Sequence, residues 1–159
     1  MPLPQLDRIL SIEPGKSVRG AKSLSLAEDY LQDHFPRFPV MPGVLMLESL
    51  FQAGAWLLRV SDDFAKPLIE LREAKGIKYQ GFVAPGDRLE VELSIAKQEG
   101  DRFVLKGSGS IDGRTAVTGR LVLERVELAT AREASGPYES YVREELRRQW
   151  RLLAPPPVA

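Results

Sequence analysis

A long apolar stretch dominates the hydrophobic pattern of the chain. Residues 44–60 read VLMLESLFQAGAWLLRV and are apolar at almost every position. A helix that is hydrophobic on all sides either lies in a protein core or crosses a membrane. This stretch has 17 residues, among them Glu48 and Arg59, and so falls at the lower end of the range of about 17 to 25 that spans a bilayer. We therefore predict a buried central helix, from near Pro42 to about Val60, rather than a membrane span.

Alternating apolar and polar positions predict strands on both sides of this helix. The predicted strands are Leu6–Ile12, Lys16–Leu24, Leu68–Gln80, Arg88–Gln98, Arg102–Ile111 and Arg114–Leu128. Turn residues separate them, and Asp112-Gly113 is a strong signal for a two-residue hairpin. Between the second strand and the central helix, Ser25 and Glu28 have the spacing of a capping box, which predicts a short helix over residues 26–35.

Five or six antiparallel strands and one long apolar helix fit together only if the sheet curls around the helix and buries it. The predicted fold class is therefore α+β. A second, amphipathic helix is predicted over residues 137–153, after a boundary at Ser135–Gly136. Its apolar stripe consists of Tyr138, Val142, Leu146, Trp150 and Leu153, and its basic stripe of Arg143, Arg147 and Arg151. We divide the chain into a main domain, residues 1–134, and a C-terminal helix and tail, residues 135–159.

The composition fits one globular domain. The chain has 159 residues, 43% of them hydrophobic, which is enough to bury a sizeable core. Its 22 basic and 22 acidic residues cancel, so no overall field attracts nucleic acid or an anionic membrane. The absence of cysteine excludes disulfides and zinc–cysteine sites, and the single histidine excludes a multi-histidine metal site within one chain. Because the N-terminus lacks the charged-then-apolar order of a secretory signal, we expect a cytoplasmic protein.

One carboxylate, Glu48, interrupts the apolar helix. Because burying a carboxylate is costly unless it is paired, Glu48 should either hold a proton more readily than an exposed carboxylate or be hydrogen-bonded. Gln52 lies one turn further along on the same face and can donate that hydrogen bond. His34 stands before the helix, separated from it by three prolines, and can act as a general base near neutral pH. Taken alone, the Glu48–Gln52 pair fits a purely structural role equally well, and His34 fits a residue that fills a gap near a turn.

The start of the helix offers a third component. The backbone N–H groups of Gly43 and Val44 have no intrahelical acceptor, and the helix dipole places partial positive charge there. Gly43 has no side chain, so a carbonyl group can approach its backbone closely. Pro42-Gly43 also fits a tight turn into the helix, and the two interpretations are compatible with each other. A base, an acid and an oxyanion site favour removal of a proton next to a carbonyl, with expulsion of a neighbouring group.

Residues 34–52, HFPRFPVMPGVLMLESLFQ, resemble the motif of the FabZ-type 3-hydroxyacyl-[acyl-carrier-protein] dehydratases, which have the hotdog fold. Flanking matches are LDRI from Leu6, Gly15-Lys16, and FVAPGD from Phe82, so the resemblance covers roughly residues 3–128. It implies an antiparallel sheet wrapped around the central helix. It also implies dehydration of 3-hydroxyacyl thioesters to trans-2-enoyl thioesters in fatty-acid or related acyl-chain biosynthesis. We expect no metal and no cofactor.

The resemblance implies a role for each matching residue. His34 is the base that removes a C2 proton, and Glu48 is the acid that helps to protonate the departing 3-hydroxyl group. Gly43 polarises the thioester carbonyl through its backbone N–H, and Gln52 supports the acid. The implied partners are acyl carrier protein and a second copy of the chain. In the implied homodimer, which some family members extend to a trimer of dimers, His34 of one chain meets Glu48 of the other.

Three positions depart from the family pattern. Asp33 stands where a glycine is usual, and Ser49 and Phe51 stand where alanine is common. A phenylalanine at position 51 would narrow or shorten the acyl tunnel. We count Phe51, together with Val44 at the start of the helix, among the predicted substrate-binding residues.

The arginine-rich C-terminal helix extends beyond the usual family core. We predict that it docks on its own dimer through Tyr138, Val142 and Trp150, rather than on an acidic carrier protein or a membrane surface. Two other functions stay open. A hotdog acyl thioesterase would hydrolyse the same thioester with a carboxylate and without His34. A non-catalytic hotdog subunit would bind acyl carrier protein without turnover, although the intact set of catalytic residues argues against it.

Overall fold

The computed structural model describes residues 3–127 and 136–156. Within these residues it contains two α-helices, α1 (Gly43–Ser61) and α2 (Gly136–Leu153), and six β-strands. The strands are β1 (Arg8–Glu13), β2 (Ser17–Ser23), β3 (Leu68–Tyr79), β4 (Arg88–Glu99), β5 (Arg102–Ile111) and β6 (Arg114–Val126). Two predictions, the division of the chain after residue 134 and the end of the last strand at Leu128, lie outside the described residues.

The strands form one antiparallel sheet in the order β1-β2-β4-β5-β6-β3. The turn between β5 and β6 consists of Asp112 and Gly113, with φ angles of 49° and 79°. Two consecutive left-handed residues are what the predicted two-residue hairpin requires. Register shifts within β3 and β4 mark bulges, which bend the strands and add twist to the sheet.

Helix α1 forms the centre of the core. Its buried residues lie on several sides of the helix and include Leu50, Ala53, Trp56 and Leu57, each at most 1% exposed. At Gly54 the helix comes close to the sheet, because a Cβ atom there would lie 3.3–3.4 Å from leucine side chains of β4, β5 and β6. By length and composition α1 is able to cross a membrane, but 61% of its apolar window is buried inside the protein. The predicted α+β hotdog architecture, a sheet wrapped around a long central helix, is therefore confirmed.

Helix α2 packs on the side of the core where α1 ends. The ring of Trp150 lies 5.8 Å from the ring of Trp56, measured between centroids. Arg143 Nε donates to the carbonyl oxygen of Phe64 at 2.8 Å, and Arg147 donates to that of Asp63 at 3.0 Å. The apolar stripe thus reaches the core through Trp150, as expected, whereas Tyr138 at the other end of the helix stays 46% exposed.

The predicted short helix over residues 26–35 is wrong. Only a 3-10 turn, Asp29–Gln32, forms there. The hydroxyl group of Ser25 accepts from the N–H of Ala27, two residues on, instead of capping a helix. The carboxylate of Glu28 binds the buried ammonium group of Lys22 at 2.8 Å. An ion pair with the end of β2 therefore takes the acidic group that a capping box needs.

Candidate active site

An open cleft of about 570 Å³ lies beside the start of α1. Its walls come from the loop before α1, from the first turn of α1, and from the end of β3 with the loop that follows. The residues that matter chemically are His34, Val40, Gly43, Met46, Tyr79 and Phe82. The cleft thus brings the predicted base and the predicted oxyanion site together within one chain.

The imidazole of His34 is oriented by the loop that precedes α1. Its Nδ1 atom lies 2.8 Å from the carbonyl oxygen of Val40, and the N–H of Val40 donates to the carbonyl oxygen of His34 at 3.0 Å. Because a carbonyl oxygen only accepts, the contact assigns a proton to Nδ1. In the neutral imidazole this leaves the lone pair on Nε2, which is the atom able to take a proton from a substrate.

The first turn of α1 presents backbone N–H groups to the same cleft. The carbonyl oxygen of Pro42 accepts from Leu45 N–H at 2.9 Å and from Met46 N–H at 3.4 Å. The N–H groups of Gly43 and Val44 come before these first intrahelical bonds. Gly43 lines the cleft, whereas Val44 is 65% exposed and is not among the residues around the cleft. The geometry therefore favours the N–H of Gly43, not that of Val44, as a donor to a bound carbonyl group.

The ring of Tyr79 lies directly against Gly43. A Cβ atom at position 43 would be 3.1–3.3 Å from three carbon atoms of this ring. Glycine is therefore needed for the close contact between the end of β3 and the start of α1. Partial burial raises the pKa of the Tyr79 hydroxyl group above its ordinary value, so at neutral pH the ring is uncharged.

The carboxylate of Glu48 is held by Gln52, as predicted from the sequence. Gln52 Nε2 donates to Glu48 Oε1 at 2.9 Å and to the carbonyl oxygen of Leu3 at 3.1 Å. Gln52 Oε1 accepts from the N–H of Gln5 at 2.8 Å. The amide is 1% exposed, and all its hydrogen bonds come from Glu48 and the N-terminal segment. Gln52 therefore fixes the direction in which the carboxylate points.

Within one chain, Glu48 does not reach the cleft that contains His34. It is not among the residues that line this cleft. Glu48 lies five positions after Gly43, which on an α-helix rotates its direction by roughly 140° around the axis. Glu48 shares its face of α1 with Val44 and Phe51, and these three side chains are exposed or half-buried. Phe51, like Val44, is not among the residues around the cleft.

Two aromatic residues of the cleft, Tyr79 and Phe82, were not among the predicted site residues. Tyr79 ends β3, and Phe82 follows it, with its ring edge-to-face against Phe38 at 5.7 Å. Phe82 begins the FVAPGD segment that carries part of the family resemblance. Membership in this segment was the sequence signal that could have identified Phe82 as a site residue. The structure is needed to show that the segment lies beside the first turn of α1.

A curled antiparallel sheet around one long helix, with a cleft at the helix start, defines a hotdog-fold protein. A family profile described as "FabA-like domain" matches residues 1–120. The 3-hydroxyacyl-[acyl-carrier-protein] dehydratase FabZ of Clostridium kluyveri is 38% identical over 117 residues, which cover 74% of this chain and 81% of that protein. FabZ of Sorangium cellulosum is 35% identical over 128 residues, covering 79% and 83%. The chain therefore belongs to the FabA-like family, as a FabZ-type member.

Solved structures agree on the fold. The dehydratase heterocomplex ApeI:P from Xenorhabdus doucetiae superposes with a TM-score of 0.67 at 20% identity, covering 80% of this chain and 86% of that one. Smu.793 from Streptococcus mutans, bound to acetyl CoA, gives a TM-score of 0.59 at 13% identity, covering 75% and 87%. The family match ends at residue 120, so α2 lies beyond it.

Proposed function

We propose that the protein removes water from 3-hydroxyacyl thioesters carried by acyl carrier protein and releases trans-2-enoyl thioesters. The observation that carries the proposal is the arrangement around His34. Its Nδ1 atom is held by the carbonyl oxygen of Val40 at 2.8 Å, which leaves Nε2 available in the cleft that Gly43 also lines. The sequence relatives named above are dehydratases of such substrates.

The proposed reaction uses three groups. Nε2 of His34 takes a proton from C2 of the substrate, and negative charge develops on the thioester oxygen. The N–H of Gly43, at the positive end of the α1 dipole, donates a hydrogen bond to that oxygen. The electron pair then forms the C2=C3 double bond while the C3–O bond breaks. The carboxyl group of Glu48 gives its proton to the departing hydroxyl group, which leaves as water.

We further propose that the carboxyl group comes from Glu48 of the partner subunit in a homodimer. Helix α1 carries Glu48 on a face that its own sheet leaves partly uncovered, away from the cleft of the same chain. Strand β3 is a 12-residue edge strand whose outer side has no neighbour among the described strands. A long free edge readily pairs with another strand, and pairing two β3 strands about a two-fold axis would be self-complementary. Such a dimer would bring the α1 helices of the two chains close together.

The proposed activity also suggests a pathway, a partner and a location in the cell. The relatives act on substrates held by acyl carrier protein, as their names state. We therefore assign the protein to acyl-chain synthesis, with acyl carrier protein as its partner. Because the relatives are dehydratases of carrier-bound substrates, we also propose that the protein lies in the cytoplasm. A further assembly into a trimer of dimers stays a prediction.

The proposal is tested with purified protein and 3-hydroxybutyryl- and longer 3-hydroxyacyl-carrier substrates, by following the enoyl product and free thiol separately. His34→Asn is the sharpest variant, because an asparagine side chain can still donate to Val40 but has no basic nitrogen. We expect enoyl formation with the wild type and none with this variant, at an unchanged circular dichroism spectrum. If wild type and variant are equally inert, the dehydratase proposal is wrong. Thiol release without enoyl product would instead identify a thioesterase.

A further inference from the structure

A second cavity, of about 270 Å³, lies where the N-terminal segment, α1 and α2 meet. Its lining consists of Pro4, Leu6, Gln52, Gln149, Leu152 and Leu153. Four of these six side chains are wholly apolar. The amide of Gln52 is already engaged with Glu48, Leu3 and Gln5, so it offers no free polar group to a ligand. The cavity is therefore chemically suited to a hydrocarbon chain.

Gln52 connects this cavity to the proposed reaction site. Its Nε2 atom lies 2.9 Å from Glu48 Oε1, and its side chain forms part of the cavity wall. Glu48 and Gln52 are one helical turn apart, about 5.4 Å along α1. A substrate whose 3-hydroxyl group meets Glu48 therefore has its next carbon atoms within reach of the cavity on the same subunit.

We propose that this cavity receives the distal carbons of the acyl chain, and that α2 sets the chain length that the enzyme accepts. The inference rests on the proposed dehydratase function, with Glu48 supplied by the partner of the subunit that supplies His34. The carbons beyond C3 then run along α1 of the Glu48 subunit, past Gln52, and end against Leu152 and Leu153 of that subunit.

The wall that α2 contributes is firmly placed. Trp150 packs against Trp56, and Arg143 and Arg147 bind carbonyl oxygens of the loop after α1. Since α2 lies outside the matched family domain, residues 1–120, this wall is a feature of the present chain. Its residues are therefore the ones that set chain-length preference independently of the catalytic groups.

The experiment compares kcat/KM for 3-hydroxybutyryl, 3-hydroxyoctanoyl and 3-hydroxydodecanoyl carrier substrates in three variants. Leu153→Ala enlarges the cavity. Leu152→Trp places a bulky group at its rim and is tolerated by the fold, because Leu152 is 77% exposed. Arg151→Trp is the matched control: it adds the same bulk to the neighbouring position, which borders a different depression of the surface.

We expect Leu153→Ala to raise the ratio of dodecanoyl to butyryl kcat/KM by about tenfold, and Leu152→Trp to lower this ratio by about tenfold. Apolar pockets discriminate single methylene groups by factors in this range. The ratio in Arg151→Trp should equal that of the wild type. Because each ratio is measured on one preparation, a partly unfolded sample does not alter it. If the wild type dehydrates its substrates but all four ratios coincide, the inference is wrong and the proposed function stands. If no substrate of any length is dehydrated, both are wrong.

Discussion

The amide of Gln52 determines where the carboxylate of Glu48 points. It connects Glu48 to the backbone of Leu3 and Gln5, so three hydrogen bonds meet at one buried side chain. Loss of a buried hydrogen-bond partner costs about 1–3 kcal/mol per unsatisfied group. In the proposed mechanism Gln52 is therefore a positioning residue for the acid, and in the structure it also connects the N-terminal segment to α1.

Replacing Gln52 by methionine keeps the volume but removes every hydrogen bond of the amide. We expect the free energy of unfolding to fall by about 1–3 kcal/mol, measured by urea denaturation. We also expect kcat to fall much more than KM changes, because a misdirected carboxyl group impairs the chemical step. Ser49→Ala is the control, since the Ser49 hydroxyl group bonds only to Leu45 within its own helix. A Gln52→Met variant that is less stable but keeps the wild-type kcat would exclude the positioning role.

Gly43 allows a different test, because a methyl group there would enter the cleft. The added Cβ atom would lie 3.1–3.3 Å from the Tyr79 ring, which is 47% exposed and able to move. We therefore expect Gly43→Ala to fold normally but to lose about 100-fold in kcat/KM, because the methyl group keeps the thioester oxygen away from the N–H of residue 43 and the oxyanion loses this donor. Gly81→Ala serves as control, since Gly81 lines the same cleft and its added Cβ would be 3.7 Å from its nearest neighbours. Equal activity of both variants would show that the reaction does not need a carbonyl group to come close to the backbone at position 43.

The sequence predicted the parts of the site that are local in the chain. Glu48 and Gln52 are four residues apart on one helix, so their hydrogen bond follows from helix geometry alone. Tyr79 lies 36 positions beyond Gly43, and only the placement of β3 at the sheet edge brings its ring to the cleft. Val44 is mostly exposed on the side away from the cleft of its own chain, because neighbouring helix positions differ in direction by about 100°. Its assignment to the substrate stays a prediction.

The secondary-structure predictions were likewise correct where residues close together in the chain determine the structure. The hairpin at Asp112-Gly113 was predictable, since two adjacent residues determine its turn. The helix predicted after Ser25 was not, because the carboxylate of Glu28 pairs with Lys22 of β2 and not with the backbone of Ser25. The strand order could not be predicted from the hydrophobic pattern. Alternation shows which side of a strand is buried, but not which strand lies next to it.

Trp150 is one of the apolar residues by which helix α2 packs against the core, together with Leu146 and Leu153. Trp150 meets Trp56, a fully buried residue of α1, at 5.8 Å between ring centroids. Truncating a fully buried aromatic side chain to alanine lowers the free energy of unfolding by about 3–5 kcal/mol. Because Trp150 is only partly buried, its contribution should be smaller. The arginine contacts with the loop after α1 remain when this ring is removed.

We expect Trp150→Ala to lower the free energy of unfolding by about 2 kcal/mol and to lower the thermal midpoint. Tyr141→Ala, on the same helix and 65% exposed in the wild type, should leave both quantities nearly unchanged. Urea denaturation of the two variants and the wild type measures the difference. Equal stability of all three proteins would show that α2 does not depend on Trp150 for its attachment.

At the scale of the whole molecule, two surfaces among the described residues suit contact with a second chain. One is the outer edge of β3, and the other is the face of α1 that carries Glu48. The proposed symmetric dimer would cover each surface with its own copy. It would also supply Glu48, which the His34 cleft of a single chain does not contain. Catalysis and assembly would then depend on the same contact.

Mixing two inactive variants separates this arrangement from a site made within one chain. His34→Asn and Glu48→Gln should each be inactive as pure dimers. Unfolded together and refolded as a mixture, they should recover about a quarter of wild-type activity, because half of the dimers are mixed and each mixed dimer contains one complete site. Size-exclusion chromatography confirms that all samples are dimers, and a mixture of two His34 variants, His34→Asn and His34→Ala, gives the background. If the mixed sample stays at this background, His34 and Glu48 do not act across the dimer, and the acid must come from the same chain.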